Sequence, residues 1–483
     1  MKQTEWKIIY TSYEGITKHA INLLSKEAGR YIIRENGLYR IYVLPCEKEG
    51  CQVSKNAFFI SCYNDSNEIK KYVKPEEVPK DGFLVKVIKN PADEEGRFVI
   101  LTAHNNQELF YSVVSFFDDY LMEHPHYGGA NPMPDTSFNR PLDEYSYSEV
   151  PEFKTRSIFT WGHSINDYRQ YIDNMARLKF NELIIWNTFI PINIDDIIDY
   201  AHSYGIKVVL GYSWGWREIG QAKEIKDEDI ENVKKIAVQK FKETYSSINC
   251  DGIYFQTFTE REDEMVNGRL ISELATDMVN DIAEKLWEIN PDLRLLFGLH
   301  ATSVKKHLNV IAKVNPRIEL YWEDCGDYPF GYGSKVTNKE KHKETLDFIE
   351  EILSLRDGRG VVLVFKGVMM LDWNQFALQG GPYVMGENSK VIASHDKGIR
   401  TSGWRHYTAD WVKHGEDAFD MIAHIKKHMK SDVSMCLAGT FDGGIYLPMA
   451  ICAEMFRNKA DDYSEVVKKV IRRDSITFDN NIF

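Results

Sequence analysis

The sequence has no long apolar run. No stretch reaches the roughly 18 uncharged apolar residues of a membrane-spanning helix, and its start, MKQTEWKIIY, has no apolar run after the basic residue. It also lacks an excess of basic charge, since the formal net charge of the 483 residues is -13. Phosphate binding draws on clustered lysine and arginine, so we expect neither a nucleic-acid nor a membrane partner. A soluble, cytoplasmic protein is expected; the alternative that a signal peptide has been removed from this sequence stays open.

Paired cysteines and short catalytic motifs are also missing. The seven cysteines are scattered and include no CxxC pair, which is typical of reduced thiols and favours the cytoplasm over a secreted, disulfide-linked fold. There is no phosphate-binding glycine loop, no HExxH and no Gly-x-Ser-x-Gly elbow. We therefore expect no cofactor and no metal ion, and the chemistries that depend on these three motifs are not favoured.

From residue 156 onward the chain repeats a short apolar strand followed by an amphipathic helix, the pattern of parallel βα units. Eight such strands can be counted, and a parallel barrel closes at that number. Gly398 to Trp404 is an alternative for the eighth strand. The predicted strands are Ser157 to Trp161, Glu182 to Asn187, Lys207 to Tyr212, Gly252 to Phe258, Leu293 to Leu299, Ile318 to Trp322, Gly360 to Phe365 and Val433 to Leu437.

Residues 1–150 have a different pattern, which predicts a smaller mixed α/β domain. An amphipathic helix is predicted over Asn105 to Met122, and the Pro-, Gly- and Tyr-rich stretch His124 to Pro151 is predicted to be a linker. Candidate strands are Lys7 to Thr11, Tyr39 to Leu44, Phe58 to Cys62, Phe83 to Lys89 and Arg97 to Thr102. The predicted fold class is a (β/α)8 TIM barrel, over residues 151–483, preceded by this domain.

Catalytic and ligand-binding residues of such a barrel follow the C-terminal ends of its strands. Here these positions combine tryptophans with amides, imidazoles and charged groups. Sugar rings stack on indoles and their hydroxyls need polar partners, so the combination favours a carbohydrate ligand. The candidate substrate-binding residues are Trp161, His163, Asn187, Trp214, Trp216, Gln256, His300, Trp322, Lys366, Asp372, Trp373, Trp404 and Arg405.

Glycoside hydrolysis usually takes two carboxyl groups, one that donates a proton and one that is ionised. Glu260 ends an otherwise uncharged strand and is the candidate acid, although it also begins the charged run EREDE. Glu323 or Asp324, across the barrel from it, is the preferred second carboxylate, and Asp372 is a further candidate. Lys366 and Arg405 fit either an acidic sugar or an ion pair with Glu323.

Several segments resemble the α-glucuronidases and, more loosely, the β-hexosaminidases. GRFVILTAHNNQELFYSVVSFFDDYL is similar to the end of their leading domain, RSIFTWGHSINDYRQYIDNMARLKFNELIIWN to the start of their barrel, and GGIYLPMAICAEMF to a barrel-closing helix. The resemblance implies that Glu260, at the end of DGIYFQTFTE, is the general acid, and that Glu323-Asp324 provides a basic carboxylate. The adjacent Asp-Glu pair of hexosaminidases is absent, because Thr259 precedes Glu260.

The leading hypothesis is a glycosidase that cleaves an oligosaccharide or glycoside, with a uronic acid or a hexosamine among the candidate sugars. A second hypothesis is a barrel that binds glycans without cleaving them. A third is a barrel enzyme of other chemistry with His163, His300 and Glu323 as metal ligands. A homo-oligomer is compatible with all three.

Overall fold

The computed structural model of the protein describes residues 6–28, 44–53, 55–121, 142–187, 189–331, 335–367, 381–430, 433–439, 446–457 and 460–472, with the backbone alone at 163, 395–404, 407, 446 and 472. These residues form two compact units. The first is built on Met1–Pro151 and the second on Glu152–His202 and Ile206–Val470.

The first unit contains a mixed six-stranded sheet. Its order is β2-β1-β3-β5-β4-β6, with β4 antiparallel to both of its neighbours and the other pairs parallel. The apolar residues of β3 and β5 are almost completely buried, which explains their continuous apolar sequence. The strands are β1 (Trp6–Tyr10), β2 (Cys46–Lys48), β3 (Asn56–Cys62), β4 (Phe83–Asn90), β5 (Asp93–Ala103) and β6 (Tyr145–Glu149).

Two helices accompany this sheet, α1 (Gly15–Ala28) and α2 (Asn106–Ser115). The Asn105 side chain caps α2 by accepting from the backbone N–H of Glu108 at 2.9 Å, and a π-helical turn continues α2 through Leu121. The helix predicted there is confirmed.

Two other predictions for this region change. The candidate strand Tyr39 to Leu44 lies outside the described residues except for Leu44, which is not in a strand. The linker interpretation is wrong for Tyr145–Glu149, since these residues pair with β4 as an edge strand. Their alternating exposed and half-buried side chains explain why the segment lacks a continuous apolar run.

The second unit contains a closed barrel of eight parallel strands in the order β10-β13-β14-β15-β16-β7-β8-β9. The predicted (β/α)8 barrel is therefore confirmed, with a small hairpin, β11 (Met265–Val266) and β12 (Arg269–Leu270), after its fourth strand. The barrel strands are β7 (Arg156–Thr160), β8 (Glu182–Trp186), β9 (Lys207–Ser213), β10 (Gly252–Gln256), β13 (Leu295–His300), β14 (Ile318–Asp324), β15 (Val361–Phe365) and β16 (Ser434–Ala438).

Helices connect these strands. The alternative eighth strand, Gly398 to Trp404, is wrong, because these residues lie inside α9. The helices are α3 (Tyr168–Arg177), α4 (Ile194–Ser203), α5 (Asp227–Lys240), α6 (Ile271–Ile289), α7 (Leu308–Ile311), α8 (Lys339–Ser354), α9 (Lys390–His414), α10 (Glu416–His428), α11 (Tyr446–Arg457) and α12 (Tyr463–Arg472). Within the described part of the chain, no helix is both long and apolar enough to cross a membrane.

Alternation along the strands divides the barrel's side chains between an interior and an outer layer. Tyr254 and Tyr321 belong to the packed interior. The ring of Phe255, between two inward positions, instead stacks on Trp214 at a centroid distance of 3.6 Å. This alternation decides which residues near the strand ends can reach a ligand.

Candidate active site

A cavity of about 300 Å³ lies at the C-terminal ends of the barrel strands. Every strand contributes to it, either at its last residues or just after them. The lining residues are Phe159, Trp161, Trp186, Asn187, Tyr212, Ser213, Trp216, Arg217, Glu218, Lys240, Gln256, Glu260, His300, Glu323, Lys366 and Ala438. The cavity has the place and the aromatic and polar lining expected of a barrel active site.

Glu323 has polar partners in this cavity on both of its carboxylate oxygens. It is buried, with 4 % of its surface exposed. Its Oε1 accepts hydrogen bonds from the Tyr254 hydroxyl and the Gln256 amide, and its Oε2 lies 3.2 Å from Lys366 Nζ. Burial by itself would raise the pKa of Glu323, but the charges of Lys366 and His300 and the two hydrogen bonds together lower it. Glu323 is therefore ionised at neutral pH.

Glu260 approaches the same point from the turn that follows β10, four residues beyond the last strand residue, Gln256, and so not from the strand itself as predicted. Its side chain is 49 % exposed, and its Oε2 accepts a hydrogen bond from Trp216 Nε1 at 2.7 Å. One Glu260 oxygen thus has a fixed partner, while the carboxyl group stays accessible to a ligand.

His300, the last residue of β13, brings the two carboxylates together. Its Nε2 lies 3.5 Å from Glu323 Oε2 and 3.9 Å from Glu260 Oε2. Those two oxygens are therefore at most 7.4 Å apart, the sum of the two distances. This limit allows the roughly 5 Å spacing of retaining glycosidases and also the lower end, about 6.5 to 7 Å, of the longer spacings of inverting ones.

Eight of the predicted residues line this cavity: Trp161, Asn187, Trp216, Gln256, Glu260, His300, Glu323 and Lys366. His163 is described by its backbone alone. Asp372 and Trp373 lie outside the described residues, and of Trp404 only the backbone, inside α9, is described.

Three predicted residues near the strand ends do not line the cavity. Trp214 and Trp322 are completely buried on the outer side of the strands, Trp214 against Phe255 and Trp322 against Phe348 of α8. Asp324 accepts a hydrogen bond from the backbone N–H of Ala301. Trp322 and Asp324 flank Glu323, so alternation along β14 turns both away from the position that Glu323 occupies.

Arg405 is also misplaced by the sequence prediction. It is exposed within α9 and does not line the cavity. The prediction assumed that a barrel strand ends near Trp404, but α9 spans this part of the chain. Lys366 is the cation that pairs with Glu323.

Sequence reasoning missed several residues of the site. Trp186 ends β8 and its ring meets that of Trp216 edge-on, with centroids 6.1 Å apart. Tyr254 lies two positions before Gln256 on the same face of β10, and both contact Glu323. The two-residue period of an inward-facing strand was the available signal for Tyr254.

Comparison with known proteins identifies the fold and no more. No protein-family model and no curated protein matches the sequence. A solved family 115 4-O-methyl-α-glucuronidase with specificity for decorated arabinogalactans is similar in structure, with a TM-score of 0.53 and 12% identity over 94% of this chain. The family 89 glycoside hydrolase from Clostridium perfringens, solved with GlcNAc-α-1,4-galactose, gives a TM-score of 0.47 at 11% identity and 88% coverage.

This chain covers 57% of the family 115 structure and 48% of the family 89 structure. The structural neighbours are glycoside hydrolases, and the predicted resemblance to the α-glucuronidase group is confirmed as a likeness of fold.

Proposed function

We propose that the protein is a glycoside hydrolase in which Glu260 and Glu323 act on opposite sides of one glycosidic bond. The observation that carries this proposal is the approach of both carboxylates to the same nitrogen of His300, within 4 Å, in a cavity lined by tryptophans. Two carboxyl groups in different environments are what acid and base roles require.

The environments assign the roles. Glu323 is buried and ionised beside Lys366, so it supplies the negative charge, as nucleophile or as base. Glu260 is half-exposed and donates the proton to the leaving oxygen, with Trp216 fixing its orientation. The stereochemical outcome follows from whether a water fits between Glu323 and the sugar.

The cavity favours one sugar ring over a long chain. About 300 Å³ is the lower end of the range for small-ligand pockets, and Trp161, Trp186 and Trp216 offer apolar faces to a ring. Arg217 and Lys240 also line it, and such cations pair with sugar carboxylates. An exo-acting enzyme is the form of the proposal that this size supports, with uronides among the substrates to test.

The test is a panel of chromogenic glycosides, including uronides and hexosaminides, against the wild type, Glu260→Gln and Glu323→Gln. We expect each variant to lose about 10²-fold or more of kcat/KM on any responsive substrate, because each removes an acid–base or charged group. Glu262→Gln, in the adjacent exposed charged run, is the matched control and is expected to retain activity. Full activity of Glu260→Gln or Glu323→Gln would refute the assignment.

One observation favours the second candidate, a barrel that binds glycans without cleaving them. Both oxygens of Glu323 already have protein partners, Tyr254 and Gln256 on one and Lys366 on the other. Calorimetric binding of a sugar without release of reducing ends over days would support this candidate. The third, metal-assisted possibility needs the His163 side chain, which lies outside the described residues.

The other expectations stay predictions. They are a carbohydrate partner, no nucleic-acid or membrane partner, a homo-oligomer and a cytoplasmic location. All seven cysteines are unpaired in the structure.

A further inference from the structure

Two histidines and a glutamate meet between α8 and α10, away from the cavity. His424 and His428 lie one helical turn apart on α10, and Glu350 faces them from α8. Glu350 Oε1 is 3.2 Å from His424 Nε2 and 3.8 Å from His428 Nε2. All three ligand-type atoms lie within 4.8 Å of one another.

This cluster lies at the end of the barrel opposite the cavity. The three residues are in the C-terminal halves of their helices, and in a βα barrel those ends lead into the N-terminal ends of the next strands. Here the next strands are β15 and β16. The cluster is thus separate from Glu260 and Glu323 and from any chemistry at the mouth.

Backbone groups orient both imidazole rings. His428 Nδ1 donates to the carbonyl oxygen of His424 at 2.9 Å, and the His424 ring hydrogen bonds with the backbone of Leu346. A ring nitrogen that donates to a carbonyl fixes the tautomer, which leaves the other nitrogen with a lone pair for a ligand. This is the usual outer contact of a metal-binding histidine.

His424 Nε2 is a nitrogen that could coordinate a metal ion. It is buried and has no hydrogen-bond partner among the described residues, because its short contact with Glu350 lacks hydrogen-bond geometry. Burial, followed by the neighbouring His428, lowers the pKa of His424, which favours the neutral ring that metals bind. Lys427 is the nearby positive charge that opposes a cation here.

The distances suit a tetrahedral ion. Zinc lies about 2.1 Å from nitrogen and oxygen ligands, which places neighbouring ligand atoms about 3.4 Å apart. The distances of 3.2 and 3.8 Å from Glu350 Oε1 to the two Nε2 atoms lie on either side of that value, and the three atoms are all within 4.8 Å of one another. Two imidazoles with one carboxylate favour zinc over magnesium or calcium, which prefer all-oxygen sites.

We propose that Glu350, His424 and His428 bind a Zn²⁺ ion that joins α8 to α10, with water as the fourth ligand. The ion replaces the contact between one carboxylate and two imidazoles by three coordinate bonds, and it thereby stabilises the outer helical layer. The sequence signal is the i, i+4 spacing in HIKKH, which places both rings on one helix face. Glu350 is remote in sequence and gives no such signal.

The test uses the full chain, freed of metal by chelator and dialysis, titrated with zinc chloride in a calorimeter. We expect saturable binding of one zinc ion per chain and a rise in the midpoint of thermal unfolding. The double variant His424→Ala/His428→Ala should bind zinc at least about tenfold more weakly. His414→Ala, an exposed histidine at the end of α9, is the matched control and should bind as the wild type does.

Glu350→Gln gives a second variant in which both histidines remain. It should also weaken zinc binding, while its metal-free unfolding midpoint stays near that of the metal-free wild type. Absence of zinc binding by the wild type, or equal affinity in the wild type and the double variant, would overturn the proposal. Neither result depends on glycosidase activity.

Discussion

Glu323 shows how a buried carboxylate stays charged. Burial favours its neutral form, yet Lys366, His300 and two hydrogen bonds together make the ionised form the stable one. The balance depends mainly on Lys366, whose ammonium lies 3.2 Å from Glu323 Oε2 and carries the largest of the opposing effects. The charge state of this one side chain is therefore open to a direct test.

Lys366→Met should move the acidic limb of the kcat/KM profile to higher pH by about one pH unit or more. The sign follows from the charges: without the ammonium, the effect of burial remains, so the pKa of Glu323 rises and more alkaline solution is needed to ionise it. The pH dependence of turnover on any responsive glycoside measures this. Lys343→Met, at an exposed lysine on α8, should leave the limb in place. An unmoved limb in an active Lys366→Met enzyme would contradict the role of Lys366.

A hydrogen bond that passes closely over the middle one of three adjacent strands, β10, β13 and β14, holds Glu323 in place. Tyr254 of β10 reaches Glu323 of β14 across β13, which carries Gly298 at that point. A Cβ on Gly298 would overlap the Tyr254 hydroxyl and lie 2.7 Å from Glu323 Oε1. The middle strand thus needs a residue without a side chain, because the hydrogen bond occupies that space.

Gly298→Ala should lower kcat by about 10- to 100-fold, since a hydrogen bond to a charged group contributes about 1.5 to 3 kcal/mol. Tyr254→Phe removes the same hydroxyl without adding volume and should give a loss of the same order. Because both changes act on one contact, the double variant should lose less than the product of the two single effects. The values of kcat for the wild type, the two single variants and the double variant form a double-mutant cycle. If the two single effects simply multiply in the double variant, Gly298 has a role other than making room for this hydrogen bond.

The barrel as a whole is joined at its N-terminal end by a buried charged network. Glu182 of β8 is completely buried and accepts hydrogen bonds at 2.7 Å from Ser157 of β7 and from Tyr321 of β14. Arg294, just before β13, pairs with Glu182 and also with Glu319 of β14. The network connects strands from different sides of the ring, so it contributes to closure of the whole barrel.

Arg294→Met should lower the free energy of unfolding by about 3 to 5 kcal/mol, because it leaves the Glu182 carboxylate buried without its cation. Urea denaturation at neutral pH measures the loss. Arg269→Met removes an exposed ion pair with Asp227 and should change stability by less than about 1 kcal/mol. If both substitutions lowered the free energy of unfolding equally, the buried Glu182 network would stabilise the protein no more than an exposed ion pair does.

Much of the barrel could be predicted because its strands are buried on both faces. The run VVLVF is apolar throughout, LRLLF is interrupted only by Arg294, and α6 has apolar residues at helical spacing between charged ones. The edge strand Tyr145–Glu149 was missed since its residues are polar and partly exposed. Glu260 and Glu323 were found because polar residues at strand ends interrupt those apolar runs.

Local sequence patterns thus established the class of fold and the positions where chemistry could lie, since both depend on spacing along the chain. They left open whether Glu323 or Asp324 faces the cavity, and they did not separate Trp216, which lines it, from Trp214, which is buried away from it. That choice follows from how the strands are rotated when the ring closes, a property of all eight together. Contacts between remote residues, such as Glu350 with His424, likewise exist only once helices far apart in sequence pack side by side.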